Sequence, residues 1–165
     1  MRYADNPVAQ VEVRVAARPE QVWALVTDIN LPADYSTEFQ GAEWTDDASG
    51  PSLGARFVGN NQHPAIGAWQ STSVVVIYDP GRAFGWDVQG SGGVAASWRF
   101  EMEPDGEGTR LRQWARMGPA PSGLTAAIEA RPDKEERIVA NRLAEWQRNM
   151  QATVEGIKAR AESAG

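Results

Sequence analysis

The 165 residues contain no cysteine and a single histidine, His63. Without a thiol there is no disulfide, no thiolate metal site and no cysteine nucleophile. One imidazole alone leaves zinc short of its usual ligand set, and no metal is expected. No run of about 18 apolar residues occurs, and the amino-terminal MRYADNPVAQ lacks the apolar core of a secretory signal. A cytoplasmic protein without membrane insertion is the expectation. The 16 Lys and Arg are scattered rather than gathered into a basic block. Against 22 Asp and Glu they leave a net charge of −6 and a pI near 4.8. Such a surface repels phosphate backbones and anionic lipid, which argues against nucleic acid as a partner. Neither GxGxxG nor GxxxxGKS/T is present. The glycines of DPGR and GSGG are turn residues instead, so no nucleotide or other cofactor is expected.

What the chain has is indole. Seven tryptophans, 42% hydrophobic and 23% charged residues describe a soluble globular chain able to bury a sizeable core. Rings of that size either fill a core or wall a hollow for a flat apolar guest, and each carries an N–H that seeks a partner when buried. The length fits one domain over residues 1–165.

QVEVRVAA (10–17) alternates as a half-buried strand. PEQVWALVTDI (19–29) has apolar residues at helical spacing and proline in its first turn, and LPADYS (31–36) predicts a second short helix. From Gly41 the period becomes two. Six strands are expected: GAEWTD, ARFVGNNQ, AIGAWQSTSVVVIYD, RAFGWDVQG, VAASWRFEMEP and TRLRQWARMG. Short Gly, Pro and Asp turns between them imply antiparallel pairing. In VAASWRFEM, Val94, Ala96, Trp98, Phe100 and Met102 share one face opposite Ser97, Arg99 and Glu101, so one side of the sheet is covered. After a loop with a candidate helix at LTAAIEA, PDKEE offers Asp133 as N-cap with Glu136 three residues on. A stripe of Val139, Leu143, Trp146, Met150, Val154 and Ile157 then predicts one long helix, flanked by Arg142, Asn149 and Thr153, lying on the covered face of the sheet.

PEQVWALVTDINLPADYS, GAEWTDD, LGARFVGNN, GAWQSTSVV, DPGRAFGWDV, SWRFEMEPDGEGTRL and RLAEWQRNMQATVEGIKARAE occur in an order that resembles the START-like, Bet v 1-type (SRPBCC) superfamily. Within it the chain is similar to the polyketide cyclase/dehydrase and lipid-transport family over about residues 8–160. The resemblance implies an α+β helix-grip fold: a seven-stranded curved antiparallel sheet around the C-terminal helix, two short helices after the first strand, and a deep cavity between sheet and helix. It also implies a hydrophobic, ring-containing small molecule as partner. Cofactor-independent cyclase/dehydrase chemistry, by polarised carbonyls and shuttled protons, is an alternative. A surface interaction role resembling Hsp90 activator domains is a third, with Trp114 as a contact residue. The chain fits either a monomer or a homodimer.

For the pocket, Trp69, Trp86, Trp98, Phe100, Met102, Leu143, Trp146 and Met150 are the expected apolar lining. Parity on TRLRQWARM sends Arg110, Arg112, Trp114 and Arg116 to solvent and Gln113 inwards. There its amide must pair with a neighbour, such as a tryptophan N–H, or await a ligand. Candidate catalytic or polar groups are Arg56, Tyr35, Glu38 and His63, with Asn60, Ser71, Ser73 and Arg142 as further inward candidates. Arg56, Val58 and Asn60 share a face opposite Phe57 and Gly59, and the pattern leaves open which set points in. Tyr35 and Glu38 either hydrogen-bond a ligand or form a solvated helix end. His63 either serves as a general base at a cavity mouth or marks a hairpin end, solvated and unoriented.

Overall fold

A computed structural model describes residues 1–46 and 48–164. β1 (Val8–Val15) buries Ala9, Val11 and Val15 from one face. α1 (Pro19–Val26) follows. Pro19 occupies its first turn, and the Gln21 side chain accepts from the Arg18 backbone N–H at 3.3 Å. The helix stops at Val26, one turn short of the sequence expectation. LPADYS forms only a 3-10 turn at Leu31–Asp34.

Six strands then run consecutively: β2 (Phe39–Thr45), β3 (Arg56–His63), β4 (Gly67–Asp79), β5 (Ala83–Gly90), β6 (Gly93–Asp105) and β7 (Gly108–Met117). All pairings are antiparallel, and the sheet order is β1-β7-β6-β5-β4-β3-β2. β1 and β2 are therefore opposite edges. The chain between them must cross the full width of the sheet, and it carries α1 and the 3-10 turn over the inner face. A short helix, α2 (Gly123–Ala130), leads to α3 (Glu135–Ala164), 30 residues long. The architecture is the helix grip.

The start of α3 differs from expectation. Pro132–Lys134 forms a separate 3-10 turn and Asp133 faces Arg131 at 3.7 Å, so the PDKEE capping box is replaced by a turn entering the helix. Below that, the predicted stripe holds: Val139, Met150, Val154 and Ile157 are buried, with Leu143 and Trp146 packed against the core, and Ala161 extends it by one turn.

α3 packs mainly on β1 and more lightly on β7. It leans to one edge of the sheet, leaving space over the central strands that α1 and the 3-10 turn share with it. A second stripe on α3 meets the segment crossing from β1 to β2. Arg160 pairs with Asp34, the Tyr35 ring lies against Gly156, and Asn149 Oδ1 accepts from the backbone N–H and hydroxyl of Thr37, both at 3.1 Å. One helix face is thus apolar towards the sheet, and the next is polar towards the crossing segment.

Candidate functional site

The space left by that leaning helix is a cavity of about 150 Å3. Sheet parity sends Phe84, Trp86 and Val88 of β5, and Trp98 and Phe100 of β6, onto its inner wall. Trp86 is central, with ring centroids 5.6 Å from Phe84, 6.2 Å from Phe100 and 5.8 Å from Phe57. Trp146 and Met150 of α3 close the opposite side. Edge-on and tilted contacts of this kind are the preferred geometry of packed aromatic rings and fix the wall's shape. Val26 and Ile29 complete the apolar lining.

The polar lining is of two kinds. On β3 and β4, Asn61, Ser71 and Ser73 form a lane along the inner wall. Asn61 Nδ2 donates to Ser71 Oγ at 3.4 Å, and Ser73 is 2% exposed. On β7 stands Gln113, 5% exposed, whose Oε1 is sealed from water and accepts no hydrogen bond from any described residue. The tryptophan N–H partner considered for it is not there.

At the rim, four charged or titratable side chains are joined in series. Glu38, which lines the cavity, makes a fork with Arg142 at 2.5 and 2.8 Å. Arg142 reaches Glu145 at 3.4 Å, and Glu145 Oε2 lies 2.6 Å from His63 Nε2. The Ala65 backbone N–H donates to His63 Nδ1 at 3.0 Å, which puts the proton of the neutral imidazole on Nε2, facing Glu145. Burial works to raise the Glu145 carboxyl. The hydrogen bond from His63 and the charge of Arg142 outweigh it, and the net shift is downward. Burial likewise works to lower Arg142, but the fork with Glu38 and the charge of Glu145 hold it above its ordinary value. This series ties the β3–β4 hairpin, α3 and the crossing segment together beside the opening.

The predicted lining divides accordingly. Trp86, Trp98, Phe100, Gln113, Trp146 and Met150 line the cavity, with Ser71 and Ser73 of the further polar candidates. Met102 and Leu143 belong to the core beyond it: Met102 is paired in register with Leu111, further along β6 than the cavity reaches. Trp69 is on the inner side of β4 opposite Asn61 but near the hairpin end, outside the lining.

Among the polar candidates, Arg56 points outward and is exposed, 4.0 Å from Asp46, and Asn60 shares that outer face. Phe57, Gly59 and Asn61 are the inward set of β3. Tyr35 turns to α3 rather than to the cavity, because Gly156 leaves a flat place for its ring. His63 is not the free, unoriented imidazole of a hairpin end. It closes β3 opposite Gly67 and is gripped from both nitrogens. Trp114 is half-buried on the outer sheet face, beneath the Arg99 guanidinium at 3.9 Å from its ring centroid.

Phe57, Phe84 and Asn61 were not singled out from sequence. The rule that placed the β7 arginines in solvent, applied to Arg56, would have turned Phe57 and Asn61 inwards.

In chemical terms the cavity is an aromatic box with hydrogen-bonding groups and little charge. Among the described residues its ionisable lining is Asp28 and Glu38. Asp28 accepts from the Asn30 backbone N–H at 2.9 Å, and Glu38 is neutralised by Arg142. No three His, Asp or Glu side chains among the described residues gather as a metal would need. No helix of the described residues is long and apolar enough to cross a membrane.

Residues 7–162 match the family described as polyketide cyclase / dehydrase and lipid transport. A polyketide cyclase-like protein of Corynebacterium glutamicum, solved in solution, is 30% identical. The match covers 95% of this chain and 92% of that one, with a TM-score of 0.65. The di-domain ARO/CYC StfQ of the steffimycin biosynthetic pathway is 18% identical over 98% of this chain and 53% of its own, with a TM-score of 0.70. A START superfamily protein of Mycobacterium smegmatis is 14% identical over 96% and 99%, with a TM-score of 0.61. The last two show likeness of fold. No curated protein sequence gives a significant match.

Proposed function

The chain belongs to the polyketide cyclase/dehydrase and lipid transport family, and from that premise we propose that it binds a hydrophobic, ring-containing small molecule between the sheet and α3. The observation that carries this reading is the aromatic cavity around Trp86. Its walls are packed aromatic rings at fixed angles, and its polar lining is mostly amides and hydroxyls, with Asp28 and Glu38 the charged exceptions. Removing apolar surface from water, at about 25 cal/mol per Å2, supplies the affinity. The few polar groups set orientation.

Turnover is the weaker reading. Ring closure with loss of water needs at least two proton-transferring groups converging on the substrate. Here Glu38 is held by Arg142, and His63, though oriented by Glu145, is not part of the cavity lining. Both lie in the rim series, so binding is favoured over catalysis.

The experiment is native mass spectrometry of protein purified from its own host. Binding predicts a co-purifying apolar small molecule, released on unfolding. An empty protein that also fails to take up any of a broad panel of aromatic and lipid compounds rejects the reading.

A further inference from the structure

The floor of the cavity holds a polar group with nothing to bond. Gln113 lies in one row of the sheet with Phe100 and Phe84, the deepest wall residues, at 2% and 0% exposure. Its Oε1 is out of reach of water and unpaired among the described residues. Leaving a buried carbonyl unsatisfied costs on the order of 1–3 kcal/mol, and leucine of similar size would avoid that cost among such neighbours. An amide in this place is a disadvantage to the empty protein, and a guest offsets it by pairing with the end of the amide that faces the cavity.

The volume limits that guest. A hollow of about 150 Å3 accepts a benzene-sized ring, whereas pockets for drug-sized ligands measure roughly 300–1,000 Å3. The walls agree with a single ring, since Trp86, Trp98 and Trp146 enclose the space.

We propose that the deep end of the cavity takes one aromatic ring bearing a hydroxyl, a phenol-class group, lying among Trp86, Trp98 and Phe100 with its oxygen at Gln113. A half-turn of the side-chain amide exchanges its donor and acceptor ends. A hydroxyl both donates and accepts, so it satisfies either orientation. Any remainder of the ligand extends along Asn61, Ser71 and Ser73 towards the rim at Glu38. This inference rests on the reading of the cavity as a small-molecule site and adds to it the size and chemistry of the bound end.

The test compares phenol with toluene, a pair alike in shape, by following 15N-labelled indole and Gln113 amide resonances on titration of the wild type and of Gln113→Leu. The wild type is expected to bind phenol about tenfold more tightly than toluene, the upper end of a net hydrogen bond. Gln113→Leu should lose or reverse that preference. Its melting temperature should equal or exceed that of the ligand-free wild type, which separates lost recognition from lost folding. Equal affinity for both probes in the wild type overturns the role of Gln113 while leaving a small-molecule site standing. Binding of larger apolar compounds but of neither single-ring probe overturns the size class alone. Failure to bind any compound removes the cavity reading itself.

Discussion

The Tyr35 ring lies directly against Gly156 of α3, so close that a methyl group on residue 156 would overlap it. The glycine is needed for space rather than for backbone freedom, since it sits within a regular helix. Gly156→Ala would force Tyr35, and the 3-10 turn before it, off the helix. Overpacking of this kind costs about 1–3 kcal/mol. Urea unfolding is expected to show that loss, and the double variant Gly156→Ala/Tyr35→Leu should recover part of it.

The Glu38–Arg142 fork is mostly shielded, with 16% and 12% of the two side chains exposed. Removing one partner leaves the other ion poorly solvated, a change worth about 3–5 kcal/mol in full burial. Residual solvent contact at both ends reduces that here to about 2 kcal/mol. Arg142→Met should therefore be clearly destabilising, and Glu38→Gln/Arg142→Met much less so than the single change. A double-mutant cycle by denaturant unfolding measures the difference; additive effects would mean the pair contributes nothing.

Acid should loosen the same rim. Burial opposes ionisation of Glu145, but His63 and Arg142 outweigh it, so its folded pKa lies below the ordinary 4.5. The folded state then binds fewer protons than the unfolded one, and stability rises with pH across that window. The contribution is complete above about pH 4.5 and is lost as pH falls through the folded pKa. Glu135 and Glu162 are shifted in the same direction by Arg2 and Lys158, so the wild-type slope is composite. Glu145→Gln should show a shallower stability loss between pH 5 and pH 3 (roughly the titration range of carboxylates) than the wild type. Identical slopes would place Glu145 outside the account.

Residues that face away from the cavity should be silent in binding. Arg56→Ala and Trp114→Ala act on the outer sheet surface and are expected to leave ligand affinity within about twofold, below 0.5 kcal/mol. Trp146→Ala removes one wall of the cavity and the 4.7 Å contact with Trp98, and should weaken binding of an aromatic ligand by at least about tenfold. A titration in which Trp114→Ala matters more than Trp146→Ala would favour a surface role instead.

The order of elements was legible because each obeys one period for its whole length. Alternation in β6 and β7 correctly sent Trp98, Phe100 and Gln113 inwards, and the α3 stripe correctly set Trp146 and Met150 against the sheet. Parity failed where the chain breaks it. A bulge between Val75 and Ile77 shifts the pairing so that Tyr78, beside Phe84, and not Ile77 faces inwards. On the same strand the serines face in and Val76 faces out, against the usual preference. The rim was illegible for another reason. His63 and Glu145 are 82 residues apart and Glu38 and Arg142 are 104 apart. Only the lean of α3 over the sheet brings them together, and no local pattern encodes that. For the same reason the expected lining included Met102 and Leu143, which pack in the core outside the cavity.

The seven indoles are their own reporters, and their side-chain N–H resonances in a 15N-labelled sample test the central claim most directly. On titration with phenol and a panel of larger aromatic compounds, Trp86, Trp98 and Trp146 should shift together and saturate, while Trp114 on the far side of the sheet stays in place. Three unmoved cavity indoles across the whole panel, or saturable shifts confined to Trp114, would contradict a guest held between sheet and helix.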